Sequence, residues 1–403
     1  MDAVLKDAGI MRRSLATNQG LMYVMLYDHL FGRGIQGGGA VKRAIKMNDT
    51  KLKEALNKLM KKKNVSCVKE LVAHEIRDAP EIPRFARVNL WKTTAEAVEK
   101  HLTEFVYTID ETIPYVLSFE SGTDLHDHPL VNSGELVLQD KSSCFPAHAL
   151  HLACEISNIS KGDAIDATAA PGNKTSQLGS LGFRKVFAFD KSARRLDVLK
   201  QRMGQAGFDE SKISPTCCDF LKVDPLTPEY QEVNVILCDP SCSGSGMHRL
   251  DHLMDKKVSN EEEEMRLMKL AEFQVACVNH ALKFPKVHFV SYSTCSIHTK
   301  ENEDVVAQVL KANPGFELHK AIPAWSRRGR ETPELSKQQA DSLIRVDPNE
   351  DRSCGFFVAI FARKLSSDLV IGPNYSKNAK KREQKKRRKE ELGNEKKKAK
   401  IQN

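Results

Sequence analysis

No stretch of the sequence is apolar for long enough to cross a bilayer: runs such as "VNVILC", residues 233–238, fall far short of the roughly 20 residues that a membrane helix needs. The opening "MDAVLKDAGIMRRS" lacks the unbroken apolar core of a signal peptide, so an intracellular chain without a membrane partner is expected. The ten cysteines follow no regular spacing, and without a secretory signal they read as free thiols in a reducing compartment. An excess of either charge is also missing from most of the chain. Thirteen Lys and Arg against four Glu from Tyr375 onward account for the whole net charge of +9, which leaves residues 1–374 balanced.

What is present describes an ordinary folded protein: 403 residues, 40% hydrophobic and 29% charged, enough for two or three domains that each bury a core. A monomer is expected. The basic tail, with "KNAKKREQKKRRKEELGNEKKKAK" at its centre, has almost nothing apolar to bury and is expected to be disordered or a solvated helix. A bare solvated charge run would explain it, but clusters such as "KKRRK" are as often nuclear or nucleolar addresses or RNA-binding arms, and that reading is preferred.

The pattern changes along the chain. Residues 1–80 read as a helical region. In "VKRAIKMNDTKLKEALNKLMKKKN", residues 41–64, Leu52, Leu56, Leu59 and Met60 share one face of a helix whose other side is basic, either a soluble surface or a contact to phosphates. Residues 81–160 read as a small α+β, RNA-binding module: "FARVNL" and "ELVLQD" look like strands, and Thr93 with Glu96 looks like a capping box for the helix "AEAVEKHL". His126 and His128 in "LHDHP" have a metal-like spacing but no further ligands in view, so no metal is expected. Residues 161–366 alternate strand and helix, with "DAIDATAA", "KVFAFD", "VNVILCDP", "VHFVSYST" and "GFFVAIFA" as β-rich runs and Ser259–Leu282 as the longest helix. Such alternation predicts a mostly parallel α/β sheet covered on both faces, with ligands at the carboxyl ends of its strands. Residues 367–403 are the tail.

The first of those strands ends in "DATAAPGNKT", residues 166–175. Thr168, Ala169, Ala170, Pro171, Gly172 and Asn173 make a tight turn into a helix, so backbone amides can approach a ligand closely. Lys174 and Thr175 echo a P-loop, but Asn173 replaces its glycine and no glycine opens the loop; nor is this G-x-G-x-x-G. A nucleoside triphosphate is therefore disfavoured. Asp190 ends the next strand, 24 residues after Asp166, and is placed to accept ribose hydroxyls. Asp219 could reach an adenine amino group, and Asp239 ends the fourth strand. Four acids at successive strand ends suit a nucleoside cofactor without polyphosphate, and S-adenosylmethionine (AdoMet) fits. The expected fold is thus a Rossmann-like AdoMet-dependent methyltransferase sheet behind the small module and the helical region.

Cys242 in "CDPSCSGSG" and Cys295 in "SYSTCSI" follow two strands that should be neighbours about 4.8 Å apart. Cys238, within a strand, and Cys67, Cys154 and Cys277, in helix-like segments, read as ordinary buried thiols. A thiol suits methylation at carbon 5 of cytosine, because its addition to carbon 6 turns carbon 5 into a nucleophile. A second acid-base group should then help restore the ring. The spacing alone leaves open which sulfur attacks.

"APGNKT", Asp190 with Arg195 in "FDKSARRL", "DPSCSGSG" and "YSTCS", in that order, resemble the Sun-domain RNA cytosine-5 methyltransferases over about residues 83–365. The resemblance implies that Thr294 and Cys295 supply the nucleophile and that Cys242 assists release. It implies that Thr168 to Lys174, Asp190, Arg195, Asp219 and Asp239 line the cofactor site, with Lys174 and Asp239 also near the target base. Two departures are Thr168 for the usual Cys, and Pro240-Ser241-Cys242 for Pro-Pro-Cys. "DPSCSGSGM", "GRGIQGGG", "TDLHDHPL" and "ENEDVV" look like the fifth subfamily, which implies large-subunit ribosomal RNA or a pre-ribosomal particle as partner and a nucleolar site of action. The rival readings are an N-methyltransferase built on Asp239-Pro240, a ribosome-assembly factor that keeps the fold only to bind RNA, and a thiol hydrolase of Cys295 and His298.

Overall fold

The computed structural model describes residues 1–10, 19–32, 34–36, 39–71, 81–247 and 260–364; the basic tail and parts of "GRGIQGGG" lie outside the described residues. Two compact units result, one within residues 1–81 and one from residues 82–247 and 260–364.

The first unit is helical, with Asp2–Asp7, Gln19–Leu30, Ala40–Met47 and Asp49–Lys63 around Val4, Leu5, Met22, Leu26, Ile45 and Leu52. The single helix expected after Val41 is two. Asn48 leaves the helical region at φ −106° and its side-chain amide bonds the Ala44 carbonyl at 2.8 Å, the local competition with helix that asparagine offers. The predicted apolar face survives the break: Leu52 and Leu56 are buried and Leu59 and Met60 half-buried, while Lys61, Lys62 and Lys63 are exposed.

The second unit holds two sheets. Strands β1 (Arg84–Val88), β2 (Tyr107–Ile109), β3 (Val116–Phe119) and β4 (Leu136–Leu138) form an antiparallel sheet ordered β2-β3-β1-β4. The helix between β1 and β2 is only Ala95–Glu99, and its cap is Thr94 rather than Thr93: Thr94 is extended and its hydroxyl takes the Ala97 N–H at 3.3 Å, while the Thr93 N–H is used in a turn to Asn89.

The larger sheet contains β5 (Asp163–Asp166), β6 (Val186–Asp190), β7 (Ile213–Cys217), β8 (Val233–Cys238), β9 (Phe289–Thr294), β10 (Phe316–His319), β11 (Ile344–Val346) and β12 (Phe356–Arg363). Its order is β10-β12-β9-β8-β5-β6-β7, with β11 on β12. From β7 to β9 every pairing is parallel; β12 closes the sheet antiparallel to β9. Both faces are covered, so alternate residues enter different cores: Ala164 and Ala188 on one side, Ile165 and Phe187 on the other. The chain winds from β5 outward to β7 and then returns to place β8 on the other side of β5. That reversal opens a crevice at the carboxyl ends of β5 and β8.

The small sheet is fastened to the large one by buried polar side chains. Arg87 on β1 donates to Gln139 (2.9 Å) and to Ser176 (2.8 Å) on the helix Asn173–Ser180. Asn89, fully buried, donates through one amide to the carbonyls of Gly134 and Ala206, each at 2.9 Å. Asn89→Ala would leave both carbonyls short of a donor in a dry site, so it should lower the unfolding free energy by about 1–3 kcal/mol. Urea denaturation of the full chain measures this, and an unchanged midpoint would show that the amide is dispensable.

Candidate active site

The turn after β5 brings its residues to the crevice by a chain of local constraints. Thr175 donates to Asp166 at 2.8 Å and lies 3.3 Å from the Ala169 carbonyl, which draws the turn back over the strand end. Asp166 is buried, and burial pushes its carboxyl up to about 6 although the Thr175 hydroxyl opposes this. Gly172 has φ +105°, and a Cβ there would lie 2.8 Å from the end of Met203 and 3.3 Å from Leu199. Only glycine meets both demands.

Asp190, buried at the end of β6, accepts the Ser192 N–H at 2.9 Å and the Ala170 N–H at 3.3 Å. Arg195 lies 3.5 Å from the same carboxylate and donates to the Ala170 carbonyl, so acid and base together hold the turn. Each carboxylate oxygen still has accepting capacity for a hydroxyl. Asp219, two residues beyond β7, caps a short 3-10 turn by accepting the Leu221 N–H at 3.1 Å. Asn173 faces differently from the rest of the turn: its amide meets Arg202 at 3.0 Å and the β4 carbonyl of Leu138 at 3.5 Å.

Asp239 is held from three sides. Its N–H donates to Thr168 at 3.1 Å, one carboxylate oxygen accepts Ser293 at 2.5 Å, and the other pairs with Lys174 at 2.8 Å. Burial alone would push the Lys174 ammonium down, but Asp239 beside it, with Asp166 and Cys295 behind, more than offsets this and holds its pKa above the ordinary value. Lys174 also donates to Ser143 at 3.1 Å. The site therefore fits a nucleoside that brings its own positive charge: acids end β6 and β8, a third follows β7, and the ammonium that could meet a phosphate is committed to Asp239.

The parallel pairing of β8 with β9 sets Cys238 opposite Tyr292, and the chain beyond brings Cys242 and Cys295 together with their sulfurs 3.1 Å apart. Cys295 is the acidic member. The Cys242 S–H bond to it lowers its pKa, outweighing burial and Asp239, with Lys174 assisting. The same bond, and then burial, pushes Cys242 up. Among the described residues the hydrogen-bond partner of Cys295 is Cys242 rather than His298. The other thiols divide as follows: Cys238, Cys154 and Cys277 are buried as expected, whereas Cys67 is exposed in a bend and not in a helix. Cys354, for which the sequence offered no role, lies against Asp140 and in the field of Cys295; burial pushes it up to about 12.

Several residues that build the site are given no role by the sequence, although Glu301 opens "ENEDVV" and Gly246 lies in "DPSCSGSGM". Glu301 joins the two cysteine loops through Ser243 and Ser296 (2.9 and 2.6 Å), and Gln274, from the long helix Asn260–Ala281, binds the Ser241 carbonyl at 3.1 Å. Gly246 donates to the Cys295 carbonyl at 2.9 Å and accepts from Gly355 at 2.8 Å; a Cβ on Gly246 would fall 2.2 Å from the Gly355 oxygen. No His/Cys/Asp/Glu group with metal-ligand geometry occurs among the described residues; His126 is exposed, and His128 accepts the Leu130 N–H at 3.2 Å to cap a helical turn.

Comparison with known proteins adds three family matches: "16S rRNA methyltransferase RsmB/F" over residues 156–362, and the N-terminal and ferredoxin-like domains of "NOL1/NOP2/Sun domain family member 5" over residues 1–72 and 99–139. A 28S rRNA (cytosine-C(5))-methyltransferase of Mus musculus is 36% identical, covering 90% of this chain and 81% of its own. The 25S rRNA (cytosine-C(5))-methyltransferase rcm1 of Schizosaccharomyces pombe is 33% identical, covering 89% and 80%. In fold, a methyltransferase homologue from Pyrococcus horikoshii (TM-score 0.58, 19% identity, 90% and 100% covered) and NSun6 from the same organism (0.57, 17%, 88% and 99%) are similar.

The thiol pair yields a pH dependence. A hydrogen bond donated to a thiolate favours the charged form, so Cys295 should react with iodoacetamide with a midpoint below the ordinary cysteine value of about 8.5. Cys242→Ala removes the donor and should move that midpoint to higher pH, as read by mass spectrometry of the labelled peptide. A midpoint that stays in place, or moves down, would mean that Cys242 does not donate to Cys295.

Proposed function

Because the chain belongs to the Sun-domain RNA cytosine-5 methyltransferases, it is an AdoMet-dependent enzyme that forms 5-methylcytosine, and we propose that its substrate is large-subunit ribosomal RNA and its nucleophile Cys295. The observation that carries the choice of nucleophile is the pair of sulfurs 3.1 Å apart, with Cys295 the one favoured as thiolate.

In this reading Thr168 to Lys174, Asp190, Arg195, Asp219 and Asp239 hold the cofactor, which when bound supplies an electrophilic methyl group on a sulfonium. Asp190 accepts the ribose hydroxyls, and Arg195 keeps the turn around them. Cys295 adds as thiolate to carbon 6 of a cytosine drawn out of its stack, moving the electrons of the 5,6 double bond onto carbon 5. After transfer, the carbon 5 proton passes to Cys242, which has released its own proton to solvent, the double bond is restored and Cys295 leaves as a thiolate. Cys242 assists that release. Lys174 and Asp239, paired at 2.8 Å beside the thiols, are placed to meet the polar edge of the base. An N-methyltransferase would leave this thiol pair without a task.

The segments 1–80, 81–160 and 161–366 then serve as a basic helical region, an RNA-binding module and the methyltransferase domain, and 367–403 as a nuclear and nucleolar address. The enzyme acts as a monomer, away from membranes, on RNA within a pre-ribosomal particle. Bisulfite sequencing of total RNA from cells with and without the protein tests the substrate: one large-subunit cytosine should lose its methyl mark. Rescue with a chain ending at Asn374 tests the tail by its failure to concentrate in the nucleolus, and sedimentation tests the monomer.

Two variants test the site. Asp190→Ala should weaken AdoMet binding by roughly 1–3 kcal/mol in calorimetry, because ribose hydroxyls lose a buried acceptor; unchanged affinity would remove Asp190 from the cofactor site. At a pH where Cys295 is ionised in the wild type and in Cys242→Ala alike, Cys242→Ala should trap a protein-RNA band on a denaturing gel and Cys295→Ala should not. The reverse pattern would exchange the roles, and methylation surviving in Cys295→Ala would end the cytosine-5 mechanism.

A further inference from the structure

Neither catalytic thiol is held by its own side chain's packing alone; each is carried on a loop, and one buried carboxylate grips both loops. Glu301 is fully buried. One of its oxygens accepts the Ser243 N–H at 2.9 Å and the Gln274 amide at 3.0 Å, and the other accepts the Ser296 hydroxyl at 2.6 Å. Ser243 follows Cys242 and Ser296 follows Cys295, so this carboxylate touches the neighbour of each sulfur and neither sulfur itself. Gln274 extends the grip to the other side of Cys242 by donating to the Ser241 carbonyl at 3.1 Å, and it is itself oriented by Tyr292 at 3.1 Å. Ser243 and Ser296 also meet directly, hydroxyl to hydroxyl, at 3.1 Å. On the Cys295 side, Asn302 accepts from Thr294 at 2.6 Å and donates to the Ser296 carbonyl at 2.9 Å.

We propose that Glu301 is a positioning residue which, through Ser243 and Ser296, sets the separation of Cys242 from Cys295. The proposal deepens the reading of Cys295 as nucleophile and takes its catalytic consequence from it. A carboxylate suits the task because three donors converge on its two oxygens, and it can accept all of them without having to donate in return. An amide in its place can meet all three groups only if Ser296 turns its hydroxyl to accept the NH2, which exchanges a charge-assisted bond for a neutral one and loosens that arm of the clamp. Once the loops part, Cys295 loses the S–H that stabilises its thiolate. The other titratable groups facing Cys295 are Asp239 beyond β8, Lys174 on the helix after β5 and Cys354 ahead of β12. Among the described residues none of these hydrogen-bonds to Glu301, so the route from Glu301 to Cys295 runs through Cys242 and the loops.

The test is a double-variant cycle read by iodoacetamide labelling of Cys295 against pH, which needs neither RNA nor turnover. Glu301→Gln should raise the labelling midpoint toward that of Cys242→Ala while leaving AdoMet affinity unchanged, and should lower kcat by up to about a hundred-fold, the order expected for a displacement near 1 Å. In the Cys242→Ala background the same substitution should shift the midpoint no further. A folded Glu301→Gln protein with the wild-type midpoint, or a shift that persists in full without Cys242, would overturn the proposal. Should Glu301→Gln not fold, Ser296→Ala opens the other arm alone and carries the same expectation with a smaller shift. If labelling behaves as expected but Cys295→Ala still methylates RNA, the clamp stands and the assignment of the nucleophile falls.

Discussion

The site depends on the parallel register between β8 and β9. Cys238, the last residue of β8, stands opposite Tyr292, β9 runs on to Thr294, and the loops beyond meet sulfur to sulfur at 3.1 Å. A slip of one residue would carry one thiol about 3.3 Å along the sheet and turn every side chain of that strand to the opposite face. Both strands are buried on both sides, so such a slip would expose nothing to water but would mismatch two packed cores at once. Register here is fixed by packing, and the chemistry inherits it.

Around the thiols, charge is arranged so that few groups are idle. Lys174 neutralises Asp239, Arg195 faces Asp190, and Thr175 supports the buried Asp166. Each acid is fixed by a backbone or hydroxyl donor before any ligand arrives, which removes the cost of orienting it later. The thiol pair follows the same rule with weaker partners. One sulfur is made more acidic by the other's proton, so the pair separates into a thiol favoured as thiolate and a thiol that keeps its proton.

Much of this was legible in the sequence because it lies in contiguous runs. Strands β5, β6, β8, β9 and β12 stand out as β-rich runs, and Asp190, Asp239, Cys242 and Cys295 stand at or just beyond the ends of three of them. By contrast β10 (FELH) and β11 (IRV) are short and carry charged residues, and did not stand out. What could not be read is what joins distant segments. Gln274 looks like any polar residue on a helix, and "ENEDVV" gives no hint of what Glu301 holds, until the fold brings the two together under the cysteine loops. Nothing in "FARVNL" marks Arg87 and Asn89 as buried, yet both are, where the small sheet meets the large one. Local competition caused the smaller errors: Asn48 breaks a helix that periodicity alone would continue, and Thr94 takes the capping role from its neighbour because its own backbone is extended.

The contact between Gly246 and Gly355 has a consequence in time. The loop that carries Cys242 rests its backbone on Gly355, the residue just before β12, and β12 lies between β9 and β10, both of which precede it in the chain. A sheet completed from its middle by its final strand has many contacts between residues far apart in sequence, and such contacts form late. While the ribosome is still making the chain, the turn, the acids and both cysteines can have emerged while the seat of the catalytic loop has not. The loop that carries Cys242 therefore gains its full seat only after synthesis has passed the last strand of the sheet.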